Sequence, residues 1–174
     1  MKTLEDLFKH QIKDLFSTET QILMALPEIT DSINSLNLTK AFENHLEETK
    51  IQKSRLEIIC RELNISPSGE KCLAIKEIIK EAKKFKKQAA NNEVLDAGMI
   101  AKVQRIKHYE ISGYSTAVKY AKELGHRAIA EKLQETLNEE YDANNTLDEI
   151  AENRINRRAL ESIHKFHFPQ KSED

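Results

Sequence analysis

Four glutamates, Glu19, Glu48, Glu110 and Glu139, stand where helices would turn a carboxylate toward a protein interior. With about 100° added per residue, Phe8, Ile12, Leu15, Phe16, Ile22, Leu23 and Leu26 all fall within about 60° of Glu19, which is central to that stripe. Met99, Val103, Ile106, Tyr114, Ala117, Ala121 and Leu124 fall within about 40° of Glu110. Glu48 lies at the edge of the stripe formed by Leu38, Ala41, Leu56, Ile59 and Leu63, which also carries His45 and Gln52. Glu47 points out. The apolar face of the last long helix centres about 80° from Glu139 and leaves Glu140 equally able to face inward.

A repeat bears on that choice. Glu19 and Glu110 are 91 residues apart, as are Glu48 and Glu139, and the same offset carries Leu15 to Ile106, Leu46 to Leu137, Leu56 to Leu147 and Ile59 to Ile150. The chain reads as two helix hairpins with one inward Glu per helix, and the offset favours Glu139 over Glu140. Ionised carboxylates in a dry interior cost several kcal/mol each, so a group of four requires cations or protons. Two metal ions meet that requirement. Carboxylates from four helices suit hard iron or manganese and hold two ions a few ångströms apart, an arrangement that activates dioxygen or peroxide. The competing reading turns some of these glutamates to the surface, or neutralises them with lysines such as Lys107 and Lys132.

The elements that would position them follow from caps and periodicity. Thr3 is a plausible N-cap for the first helix, with Glu5 and Asp6 in its first turn, and Pro27 is expected to kink or interrupt it. A polar stretch from Asp31 to Asn37 leads into the second helix, which ends at Asn64. Ser66-Pro67-Ser68-Gly69 forms a turn, and Ala74, Ile75, Ile78, Ile79, Ala82 and Phe85 predict a short helix in a crossover joining two helices that are not antiparallel neighbours. The third long helix spans about Asn92 to Leu124 and stops at Gly125. The fourth runs from about His126 to near Leu160. Residues 1–160 form the bundle, and 161–174, with His164 and His167, read as a flexible tail.

Composition narrows the class of protein. With 39% hydrophobic and 32% charged residues among 174, four Gly, three Pro and no Trp, the chain reads as one soluble, all-α domain. A net charge of −2 gives no general attraction to nucleic acid, and no apolar run has membrane-spanning length. Lys83, Lys84, Lys86 and Lys87 read as a solvated face. The start, Met1-Lys2-Thr3-Leu4-Glu5-Asp6, is unlike a signal peptide, so a cytoplasmic location is expected. Cys60 and Cys72 match neither a zinc nor a redox spacing.

Several blocks in order, Leu46-Glu47-Glu48-Thr49 with Gln52 and Arg55-Leu56-Glu57, then Lys107-His108-Tyr109-Glu110-Ile111 with Tyr114, then Thr136-Leu137 with Glu139-Glu140, resemble the YciE/YciF-like stress-protein family of the ferritin-like superfamily. The resemblance runs from about Leu4 to Ala159. It implies a ferritin-like four-helix bundle with a C-terminal helical extension, often a homodimer, and a di-iron or di-manganese centre with no established substrate. Such proteins usually supply Glu-x-x-His from two helices. Here Ile51 follows Glu48 by three and Asp142 follows Glu139 by three, which leaves Gln52 or His45, and Asp142, as substitutes. Relatives often carry Glu where Lys107 stands, and an ammonium there could displace metal charge.

The metal ligands expected are therefore Glu19, Glu48, Gln52, Glu110, Glu139 and Asp142, holding two iron or manganese ions for ferroxidase chemistry or reduction of peroxide or dioxygen. The alternative is a metal-free helical dimer serving as a stress-related interaction or scaffold protein. Tyr114 reads as core, with a hydrogen bond to a ligand as the other option; His108 as exposed or at an interface; Cys60 as packing.

Overall fold

The computed structural model describes the backbone of residues 1–69 and 71–167 and the side chains as far as Ser162. All regular structure among them is helical: α1 Leu4–Thr30, α2 Leu36–Glu62, α3 Leu73–Lys86, α4 Asn92–Glu123, α5 Arg127–Ile150, a π-helical segment Ala151–Ile155 and α6 Asn156–His167. The Thr3 cap lies where the sequence puts it, and Asn91 supplies a second. Thr3 Oγ1 accepts from Asp6 N while Asp6 Oδ2 accepts from Thr3 N, each at 3.1 Å, and Asn91 Oδ1 accepts from Val94 N at 2.8 Å. α4 stops as Gly125 takes φ +79°, with His126 N bonded to Ala121 O at 2.9 Å and Gly125 N to Lys122 O at 3.1 Å. Asn64, at φ +52°, ends α2 in the same way.

Two helices differ from expectation. α1 passes through Pro27 and ends at Thr30. Proline deletes only the donor that would reach Leu23, and so near a helix end the loss is small. The expected fourth helix breaks instead of running to Leu160: Asn153 (ψ 46°) and Arg154 (φ 97°) leave the helical region. The break turns Ile155 into the core and lays α6 along α4. The expected tail accordingly starts in a helix, where Ser162 is buried and accepts from Asn91 Nδ2 at 3.2 Å; residues 168–174 lie outside the described residues.

The four long helices form a ring in which α1 packs on α2 and α4, and α5 on α4 and α2. Cross-contacts show the neighbours to be antiparallel: Phe8, Ile12 and Leu15 of α1 cluster with Tyr114, Ala117 and Ala121 of α4 while Ile22, Leu26 and Ile29 cluster with Met99, Val103 and Ile106, and Glu62 meets Lys132 while Gln52 meets Glu140 across α2 and α5. The crossover carries α3, which lies on α4 and α1. A Cβ on Gly98 would stand 2.0 Å from Phe85 Cζ, so glycine there lets the ring of Phe85 rest on α4. Cys72, at the start of α3, is tied to α1 through Ser17 Oγ (2.9 Å from Cys72 N) and Gln21 Nε2 (3.0 Å from Cys72 O). Its Sγ is 2.9 Å from Tyr109 OH, which donates to Asp14 Oδ2 at 2.8 Å.

The core has two apolar halves. One holds Ile22, Leu26, Phe42, Met99, Val103 and Leu147 together with α3; the other holds Phe8, Leu15, Leu56, Ile59, Tyr114 and Leu133. Between them lies a buried layer of Thr18, Glu19, His45, Thr49, Gln52, Lys107, Glu110 and Glu140. This layer is where the chemistry of the molecule is concentrated.

Candidate functional site

Each long helix brings polar side chains to the layer at a position flanked by apolar turns. α1 brings Glu19, α2 brings Gln52 and Thr49, α4 brings Lys107 and Glu110, and α5 brings Glu140. Glu19, Gln52, Lys107, Glu110 and Glu140 are all 0% exposed. Lys107 Nζ lies within hydrogen-bond reach of Glu140 Oε2 and forms an ion pair with Glu110 Oε2 at 3.0 Å, in a direction that does not make a hydrogen bond. Glu140 Oε1 accepts from Gln52 Nε2 at 2.8 Å, so both oxygens of this carboxylate are satisfied. Tyr114 OH donates to Glu19 Oε1 at 2.5 Å. Tyr114 is thus a hydrogen-bonding partner in the layer as well as a core side chain.

Charge follows from this geometry. Burial, then the nearby Glu140 carboxylate, push Glu19 up to about 8, against the pull of Tyr114 and Lys107. Burial and Glu140 likewise hold Glu110 well above the usual carboxylate range. For Lys107, burial opposes the charge, and Glu110 and Glu140 outweigh it and hold the ammonium above its ordinary range. Lys107 thus keeps its charge between Glu140 and Glu110, while burial biases Glu19 and Glu110 toward their uncharged forms. Each proton so held lowers the net charge of the layer, which is how a dry interior tolerates it.

The expected ligands separate into two groups. Glu19, Gln52 and Glu110 enter the layer. Glu48, Glu139 and Asp142 do not. Glu139 is corrected to Glu140: Glu139 lies at the rim, held by Arg55 through two bonds of 3.0 Å and by Gln52 Nε2 at 3.0 Å. Glu48 is half-buried and Asp142 exposed, and both line a cavity next to the layer. Ile51 is 58% exposed, so the inward positions three apart are Thr49 with Gln52 and Glu140 with Ala143, and neither pair supplies a histidine. Sequence reading missed Arg55, because nothing in a wheel shows a long side chain reaching across to the next helix. The offset of 91 does contain the true position, since it carries Thr49 to Glu140.

A pair of hard cations does not suit these residues. Lys107 takes both the place and the charge an ion would take among Glu110 and Glu140, and Arg55 claims Glu139. Glu19 Oε2, Gln52 Oε1 and both Glu110 oxygens have no hydrogen-bond partner, and burial pushes both acids toward their protonated forms, which removes charge without a cation. Among the described residues no three His, Cys, Asp or Glu side chains stand close enough together to hold an ion as they are.

Comparison with known proteins places this arrangement. Residues 3–160 match the family described as a domain of unknown function, DUF892. The chain belongs to that family. It is similar to Protein YciF of Escherichia coli strain K12, at 38% identity over 160 residues, which is 91% of this chain and 96% of that one. The crystal structure of the E. coli stress protein YciF superposes with a TM-score of 0.86 over 90% of this chain and 99% of that one. YcfI from Rhodopseudomonas palustris, 40% identical, gives 0.83 over 85% and 94%. A Xanthomonas campestris protein, 17% identical with a TM-score of 0.71, shares the fold alone. The chain is thus a YciF-like member of DUF892, and its helical architecture is that of YciF. Among the described residues no helix is long and apolar enough to cross a membrane.

Proposed function

We propose that this DUF892 protein acts in a stress response as a helical interaction protein, without a di-metal oxidation centre in its core. The observation that carries the reading is Lys107: a fully buried ammonium, paired with Glu140 and Glu110, stands where the carboxylates would otherwise gather metal. The likeness to the stress protein YciF supports the physiological setting. A second copy of the chain is the partner that the family resemblance implies. Ile51 and Ile58, seven residues apart on the outer face of α2 and 58% and 40% exposed, offer it an apolar surface.

The decisive measurement is aerobic oxidation of Fe(II), followed by absorbance in the presence of the purified chain. The rate is expected to equal that of buffer. An acceleration of about tenfold or more that disappears in Glu110→Gln would overturn the reading.

A further inference from the structure

We propose that copies of this chain associate head to tail through charge, the lysine face of α3 on one copy docking against the acidic outer face of α5 on the next. The proposal rests on the reading that the partner is a second copy, and it gives that copy a surface other than Ile51 and Ile58. A formal net charge of −2 conceals two regions of strong and opposite sign. Residues 71–87, in and beside α3, hold seven lysines and two glutamates, whereas α5, from Arg127 to Ile150, holds seven acidic residues and two basic ones.

Each region turns its charge outward in one stripe. Ile75, Ile79 and Ala82 hold α3 to the bundle, and on its other side Lys76, Lys80, Lys84 and Lys87 are all exposed, within about 80° of one another. On α5, Glu131, Glu135, Asp142 and Glu149 are exposed too, within about 40° of one another and on the side away from the buried Glu140. The spacings match. Lys76, Lys80 and Lys87 stand four and then seven residues apart, as do Glu131, Glu135 and Asp142, so two such helices laid side by side and parallel bring three opposite charges into register. Glu81 does not interrupt the lysine stripe, since it is turned aside to Lys102 and Arg105 of α4.

Most of these charges have no partner within the chain. Among the described residues the side chains of Lys76, Lys84, Lys87, Glu131, Asp142 and Glu149 make no hydrogen bond or ion pair. Lys80 meets Glu77 at 3.0 Å and Glu135 meets Arg55 at 2.9 Å, and exposed charges held this way exchange partners at little cost. The two stripes also lie on different sides of the ring: α3 rests on α4 and α1, while α5 packs on α4 and α2. A copy that docks by its lysines therefore leaves its own acidic stripe open to another, and the contact repeats from copy to copy. Like faces repel, so charge selects the head-to-tail orientation.

Light scattering from the whole chain at about 0.01 M and about 1 M salt, where the Debye length is roughly 30 Å and 3 Å, tests this. The mean mass at low salt is expected to be at least double that at high salt. Two charge-reversed variants complete the test, one carrying Lys76→Glu, Lys80→Glu, Lys84→Glu and Lys87→Glu, the other Glu131→Lys, Glu135→Lys, Asp142→Lys and Glu149→Lys. Each alone should gain no mass at low salt, whereas an equimolar mixture should, because the first keeps the acidic stripe and the second the lysine stripe. Only unaltered stripes meet in the mixture, so local damage from the substitutions does not hide the result. The proposal fails if the parent has the same mass at both salt concentrations, if either variant alone associates as the parent does, or if the mixture gains nothing. A dimer of equal mass at both concentrations would be held by the apolar face of α2, overturning the charge contact and leaving the earlier reading in place. Binding of a random-sequence DNA duplex by a parent that does not self-associate would assign the lysines to phosphate and overturn the proposal as well. Fe(II) oxidation alongside salt-dependent association would overturn the metal-free reading alone.

Discussion

Lys107 and its carboxylates make the core sensitive to single atoms. Lys107→Met removes the ammonium and leaves Glu140, its hydrogen-bonded partner, without a counter-charge, and breaking a buried pair in this way costs about 3–5 kcal/mol. Urea denaturation should show that loss, and a second change, Glu140→Gln, should restore most of it. The protonated acids set a dependence on pH. Glu19 titrates at about 8 in the folded chain against an ordinary 4.5, so between those values the folded chain holds a proton that the unfolded chain has lost. Stability due to Glu19 therefore falls as pH rises through that window and levels off above about 8. Glu110 and Glu48 act in the same sense. His45 acts oppositely, but only below its ordinary 6.5, where the unfolded chain takes up a proton that the buried ring refuses. From pH 6.5 to 8 the carboxyls dominate this group, and the urea midpoint should fall, at no more than about 1.4 kcal/mol per pH unit for each proton. Glu19→Gln should make that slope shallower, and an unchanged slope would show that Glu19 is ionised in the folded chain.

At the level of elements, the crossover is held by few bonds. Ser17 Oγ accepts from Cys72 N and from Gln21 Nε2, which in turn donates to Cys72 O. Ser17→Ala leaves the buried Cys72 N–H without an acceptor, at a cost of about 1–3 kcal/mol. Hydrogen exchange should quicken first in α3 if the crossover opens as a unit. Two helix ends were legible in the sequence because single residues dictate them: Thr3 and Gly125 each do in the fold what their chemistry requires, and Asn91 adds a cap that the structure shows. The break at Asn153 and Arg154 was not legible. Neither residue is a glycine or proline, and only the packing of Ile155 and α6 explains why the backbone leaves the helix there.

For the whole molecule, the sequence showed the four-helix bundle, the crossover and two of the buried glutamates. Glu19 and Glu110 were legible because each is central to a long apolar stripe, where small errors of angle do not matter. Glu48 and Glu139 sit at the edges of their stripes, where one residue's rotation of about 100° decides between core and rim. The inward positions proved to be Thr49 and Glu140. The wheel carries no information about reach, so it could not show Arg55 holding Glu139; Lys107, about 60° from Glu110, was already legible as a lysine able to neutralise these carboxylates.

The ionic layer lies between two oily halves that would tolerate many exchanges of one aliphatic side chain for another. Such halves grip well but measure badly, since a helix sliding by one turn, about 5.4 Å, would still find grease to rest on. The layer supplies the missing ruler. A slip of that size would strand Lys107 among apolar neighbours and part it from Glu140, so only one alignment of the four helices is permitted.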